Sequence, residues 1–276
     1  MTFDNTSVLK SKLRWNSIAK PLGGLGLLED MVSKIAGIQR TEDVSITHRT
    51  AVIMCADNGV VSEGVSQSDS RVTAQVAKEI AAGRSSVNML ANQFSTDILT
   101  VDIGIDSDIY CSNIINKKIA YGTRSIAKGP AMDPSQARKA ISNGIEIVYE
   151  LCRNGTDIII TGEMGIGNTT TSAAIASVIL GIPAEITTGR GAGLDSSGMS
   201  RKIAAIHRAI KLNKPDPTDP IDVLSKLGGF DIAGMTGLFL GGAECGIPIV
   251  IDGVISAVSA CLAEMISPGC RDFMLP

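Results

Sequence analysis

Asp157-Ile-Ile-Ile-Thr-Gly-Glu-Met-Gly-Ile-Gly-Asn-Thr-Thr-Thr171 is the stretch that decides the fold. Its first five residues are a short β-branched run closed by glycine, which predicts a buried strand over 157–161. Its second part predicts a loop, Gly162 to Thr171, built to hold a small nucleotide, followed by a helix over 169–180. Gly165 and Gly167 flank a tight turn, and Asn168 suits the N-cap position of that helix. The free N–H groups of a first helical turn, aligned with the helix dipole, favour an anionic group. The segment is neither a P-loop, since no Gly-Lys-Ser/Thr closes it, nor the dinucleotide Gly-x-Gly-x-x-Gly. On these grounds alone, Glu163 is equally a ligand contact or an acid near a helix start.

Outward from this stretch the same grammar repeats. Ala51-Val-Ile-Met-Cys55, Asp97–Gly104 and Pro248-Ile-Val-Ile251 read as further strands, each ending in an acid and a glycine: Asp57 and Gly59, Asp102 and Gly104, Asp252 and Gly253. Helical patterns cover 71–82, 84–93, 135–152, 198–211, 230–243 and 254–266. Strand–loop–helix alternation predicts an α/β fold, a Rossmann-like doubly wound parallel sheet with right-handed crossovers. Ligands in such sheets sit at the carboxyl ends of the strands, where glycines admit backbone to the ligand. The alternative is that Asp and Gly are there as turn residues.

Other segments also carry candidates. Gly189-Arg-Gly-Ala-Gly-Leu-Asp195 packs three glycines into five residues, and Arg190 or Lys202 would suit a phosphate; an ordinary loop with a surface lysine explains them equally well. The loop after the first strand offers Asp57, Glu63, Ser66 and Ser68, and Asp231 and Asp252 are further acids near element ends. Residues 1–47 lack the alternation and look helical around Pro21–Gly26. Lys214–Pro220 is a stiff, exposed connector.

Composition narrows the class. Hydrophobic residues are 44% of the chain but aromatics only 3%, which suits an aliphatic parallel sheet over an all-β sandwich. The net charge of -3, without a basic run, argues against nucleic acid as a partner. No apolar run approaches membrane-spanning length and Met1–Asn5 does not begin a signal peptide, so a soluble cytoplasmic protein is expected. Six scattered cysteines without a Cys-x-x-Cys pair, and two isolated histidines (His48, His207), imply reduced thiols and neither zinc nor a histidine triad.

Taken together, the ordered segments Lys20–Glu29, Ala56–Ser66, Gly162–Thr171, Gly189–Asp195 with Lys202, Gly228–Ala233 and Ile251–Gly253 resemble the nicotinate-nucleotide–dimethylbenzimidazole phosphoribosyltransferase family of cobamide assembly. The resemblance covers nearly the whole chain, and Gly-Glu-Met-Gly-Ile-Gly-Asn-Thr-Thr is its most specific part. It implies a large α/β nucleotide-binding domain over 48–266 and a small helical subdomain from both chain termini. The N-terminal part of that subdomain is 1–47, and 267–276 begins a truncated C-terminal segment. It further implies a homodimer, with no cofactor and no metal. The reaction implied is transfer of phosphoribose from nicotinate mononucleotide to a benzimidazole-type base.

Carried over residue by residue, Glu163 resembles the carboxylate beside the ribosyl ring. Met164, Gly165 and Asn168 line the nucleotide, Gly191 and Gly193 form its glycine loop, Lys202 is the basic residue close by, and Ser68 lies at the base pocket. This sequence departs from the pattern in three places. Val76, with Gln75 adjacent, stands where some members have a glutamine at the base; Ala56-Asp-Asn-Gly59 replaces Ala-Asp-His-Gly; and Gly24 replaces a serine. The family's serine-rich phosphate segment, and the glutamate proposed as its general base, correspond to positions after Pro276. These departures leave two other readings open: a related subunit, even of a heterodimer, for phenolic or purine bases, and a nucleotide-binding scaffold without turnover.

Overall fold

The computed structural model describes residues 2–276. Six parallel strands form one sheet: β1 (Arg49–Ala56), β2 (Thr96–Gly104), β3 (Ile114–Asn116), β4 (Ile158–Met164), β5 (Ile249–Val250) and β6 (Met274–Leu275). Their order is β3-β2-β1-β4-β5-β6. The chain therefore winds outward from β1 in one direction, returns to the middle, and winds outward from β4 in the other. A crevice opens at the reversal, above the carboxyl ends of β1 and β4. The expected α/β doubly wound sheet is what forms. Its two short edge strands, β3 and β6, were not expected.

The parallel arrangement explains the aliphatic composition. Side chains of β1 alternate between the faces. Val52, Met54 and Ala56 enter the larger core, whereas Ala51, Ile53 and Cys55 enter a second core on the opposite face. Two helices precede the sheet, α1 (Asn5–Ser17) and α2 (Leu27–Gln39). Residues 21–26, expected to be helical, are instead the turn between them, because Gly23 and Gly26 take positive φ there. The other helices are α3 (Arg71–Ala81), α4 (Ser86–Gln93), α5 (Pro134–Arg153), α6 (Asn168–Leu180), α7 (Ala184–Thr187), α8 (Ser196–Asn213), α9 (Pro220–Leu227), α10 (Phe230–Cys245) and α11 (Gly253–Ile266). Of these, α7 and α9 had no counterpart in the sequence reading. The second lies just after the Pro-rich connector, with Asp219 capping its first N–H groups.

Two packing features position the site. Helix α10 is buried on nearly every side from Phe230 to Gly242, as an apolar and glycine run interrupted by Asp231 and Thr236 alone requires. It touches α5 backbone to backbone. A Cβ on Gly144 would come within 2.1 Å of Gly234 O, and one on Gly237 within 2.1 Å of Ile141 O. The second feature is the chain's last strand. Leu275 packs with Ile35 of α2 and Ile158 of β4, and Phe3 meets Phe273 edge-on at 6.3 Å between centroids. The α1–α2 hairpin is thereby joined to the edge of the main sheet. No helix among the described residues is long and apolar enough to cross a membrane.

Candidate active site

Register places the key carboxylate. Met54 of β1 pairs with Glu163 and Cys55 with Met164, so β4 continues three residues past the expected end at Thr161. Glu163 thus stands on a strand end, not in a loop. The turn that follows is capped by Gly167 at φ +96°, and Asn168 is the first helical residue of α6. The expected N-cap role for Asn168 is therefore corrected. A residue with left-handed φ fits the turn better as glycine, which releases the asparagine side chain for other work.

That work is to bridge two acids. Asn168 Nδ2 donates to Glu163 Oε2 and, at 2.9 Å, to Asp231 Oδ2 at the start of α10. Asp231 is completely buried, and its Oδ1 accepts the N–H of Ile232 at 3.0 Å. Gly165 lets these groups meet: a Cβ there would lie 2.4 Å from Asp231 Oδ2 and 2.5 Å from Ala56 O. Burial, then the charge of Asp231, pushes Glu163 up to about 7, with Asp252 adding to the effect and the Asn168 hydrogen bond opposing it. Burial likewise pushes Asp231 up to about 6.

Glu163 and Asn168 form part of the wall of a cavity of about 220 Å³ at the β1/β4 crevice. Met164, Gly165, Ser66, Gln67, Thr169, Arg190, Gly191 and Lys202 are also at its surface. Lys202 is the fully buried cation of the site. It lies on α8, and its Nζ donates to Thr169 Oγ1 at 2.8 Å and to Gly189 O at 3.1 Å. Burial lowers it to about 8, so it carries most of its charge at neutral pH while standing close to losing it. Both phosphate candidates left open by the sequence are at the cavity, and Arg190 Nη1 donates to Leu194 O at 2.7 Å. Gly191, at φ +56°, lies against Thr169 and Lys202: a Cβ there would be 2.9 Å from Thr169 Oγ1.

Other expected residues lie elsewhere. Ser68 is not at this cavity, and its N–H bonds Ser66 Oγ at 3.2 Å. Gly193 is one step back from the wall, its carbonyl accepting from Gln67 Nε2. Val76 packs against the smaller core, as Met164 does. Glu63 is a structural anchor, binding Ser125, Lys128 and Arg208. Asp57 is buried with Oδ2 on the N–H of Asp106, and burial raises it. His48 and His207 sit beside Asp157 and Glu185, apart from the cavity. Gln67 and Thr169 were not singled out by the sequence reading. Among the described residues no group of three or more His, Cys, Asp or Glu is placed to hold a metal ion.

A 3-2-1-4-5-6 parallel sheet with a glycine turn, a carboxylate and a buried lysine at its switch point defines a nucleotide-binding α/β protein. A family described as Phosphoribosyltransferase matches residues 2–276, and the chain belongs to that family. It is 49% identical over 267 residues to the nicotinate-nucleotide–dimethylbenzimidazole phosphoribosyltransferase of Ruminiclostridium cellulolyticum, covering 97% of this chain and 76% of the relative. Its identity to the enzyme of the same name from Clostridium acetobutylicum is 48% over 273 residues, covering 99% and 78%. The crystal structure of CobT from Thermus thermophilus superposes with a TM-score of 0.93 at 32% identity, over 98% of this chain and 81% of the other.

Proposed function

We infer that this chain transfers the phosphoribosyl group of nicotinate mononucleotide to 5,6-dimethylbenzimidazole, releasing nicotinate and forming an α-ribosyl phosphate. The observation that carries this reading is the placement of Glu163 and Lys202 on the same cavity at the sheet's switch point. The nucleotide brings two opposite charges, a cationic pyridinium–ribosyl junction and an anionic phosphate. The cavity offers one group for each: Glu163 for the ribosyl carbon and Lys202 for the phosphate.

The chemistry needs no acid to assist departure. Breaking the C1′–N bond returns its electron pair to the pyridinium nitrogen, so nicotinate leaves with a neutral ring. The azole nitrogen attacks C1′ from the opposite face, inverting the anomeric centre, and its other N–H proton passes to a base. The bound substrate carries its positive charge on the pyridinium ring; in the transition state that charge moves towards C1′, where a carboxylate beside the ribosyl carbon stabilises it more strongly. Met164 and Gly165 complete the nucleotide wall. The reading includes a homodimer in the cytoplasm. Leu9, Leu13, Leu22, Leu27 and Leu28 of the α1–α2 hairpin are exposed, and that apolar surface supports burial against a second copy.

The test is nicotinate release by the purified chain with 5,6-dimethylbenzimidazole, adenine and phenol offered side by side. Turnover fastest with the benzimidazole is expected. Preference for phenol or adenine would transfer the chain to the related activity, and binding of nucleotide without turnover on any base would leave a scaffold. Sedimentation of the same preparation is expected to show a dimer; a monomer removes that part of the reading.

A further inference from the structure

Asp231 has no role in the reaction as written, yet it is the most completely enclosed carboxylate beside the cavity. Among the described residues no lysine, arginine or histidine forms an ion pair with it or with Glu163. One nitrogen, Asn168 Nδ2, spends its two hydrogens on the two acids. Among the described residues, no cation is paired with either carboxylate to offset the neighbouring acids. Asp252 faces Glu163 from the end of β5, and Cys55 and Asp57 stand at the end of β1; Asp102, on β2, is paired with Lys118 at 3.2 Å, a cation that also reaches Asp57. The cations at the cavity are turned to other partners, Lys202 to Thr169 and Gly189, Arg190 to Leu194. Two neighbouring carboxylates in such a setting cannot both ionise cheaply, and a bridging amide does not remove the repulsion.

We propose that Asp231 is a positioning residue for Glu163. Through Asn168 it fixes the Glu163 carboxylate at the cavity wall and shares one proton with it in the free protein. Arrival of a cationic pyridinium–ribosyl group displaces that proton to solvent. Below about pH 7 the free site therefore holds one negative charge in place of two, and the second appears when a cation arrives for it to face. Naming the cation rests on the nucleotide reading above; the shared proton does not.

The experiment is a carboxyl ¹³C NMR titration of Glu163 in the free wild-type protein and in two variants, with fold checked from the amide spectrum. In the wild type the midpoint is expected near neutrality. Asp231→Asn is expected to lower it by on the order of one unit, leaving the part due to burial in place. Asn168→Ala is expected to move it the other way, since the one side-chain donor to Glu163 among the described residues is lost while the repulsion stays. A pair of opposite shifts is not what general loosening of the site would produce. Saturating nicotinate mononucleotide is expected to lower the wild-type midpoint, and to lower that of Asp231→Asn less. An unchanged midpoint in folded Asp231→Asn, or a fall in Asn168→Ala, overturns the proposal; should the first variant fail to fold, the second decides it. Calorimetry on the same samples separates the two ideas. If the nucleotide does not bind, the substrate reading fails, while the titrations of the free protein still settle the shared proton.

Discussion

Gly165→Ala tests the close approach on which the site is built. The added methyl group meets Asp231 Oδ2 at 2.4 Å, Ala56 O at 2.5 Å and Asn168 Nδ2 at 3.0 Å. None of these is a flexible chain end: one is strand backbone, one a fully buried carboxylate, and one the bridge between the two acids. Ordinary contact requires displacement of about 1 Å at the two oxygens and about 0.4 Å at the amide nitrogen. Overpacking of this kind costs about 1–3 kcal/mol. Disturbing a buried, charge-assisted hydrogen-bond pair adds about 1–3 kcal/mol. A loss of about 4 kcal/mol is expected, roughly 8 °C in Tm for a chain of this length. The assay is thermal and urea unfolding beside Gly189→Ala, where a Cβ meets nothing within 4 Å and φ lies outside the left-handed region. That control is expected to stay within about 0.5 kcal/mol of wild type. Equal stability of the two variants would refute the packing argument, and with it the reason for glycine at 165.

Glu163→Gln separates function from stability through pH. The folded protein holds this carboxyl near 7, above its ordinary value, so its contribution to stability is present at low pH and is lost as pH rises through about 7. The variant is therefore expected to melt higher than wild type at pH 8 and to lose that advantage towards pH 5, while turnover falls about 10²-fold; an advantage equal at both pH values would contradict the sign. Lys202→Met removes the charge with little change of volume. Nicotinate mononucleotide is expected to bind about 2–3 kcal/mol more weakly, and nicotinate riboside, which has no phosphate, to be affected far less. Equal losses for both ligands in calorimetry would remove Lys202 from the phosphate.

The parts of this fold that were legible in the sequence are those written in local grammar. The strands around Val52, Val101, Ile159 and Ile249 are aliphatic runs ended by turn residues, and α5 begins at Pro134 behind a capping aspartate. What escaped notice lacked such a signature. Strand β3 is three residues and β6 two, lengths at which pairing with a neighbour, and not propensity, makes the strand. The boundary of β4 was misjudged because Gly162 reads as a turn, whereas in the sheet it pairs with Ile53. Within the site, Glu163, Gly191 and Lys202 were recognisable from their segments. The joining of Asp231 to Glu163 was not, because 68 positions separate residues 163 and 231 and only the sheet's winding brings them together. Asn168 shows the limit from the other side: asparagine before a helix usually caps it, but a glycine one position earlier took that place.

The glycine seam between α5 and α10 bears on how this protein tolerates change. Asp231 sits in the first turn of α10, and Gly237 lies six residues along, about 9 Å down the axis. Because the two backbones touch at Gly144 and Gly237, α10 has no slack with which to absorb a larger residue there; it must translate or tilt as a body. Its first turn would travel with it, carrying Asp231 away from the amide of Asn168. Sensitivity at the cavity is thus inherited from a contact that no substrate atom reaches. Variants that impair transfer without altering any cavity residue are to be sought along that seam.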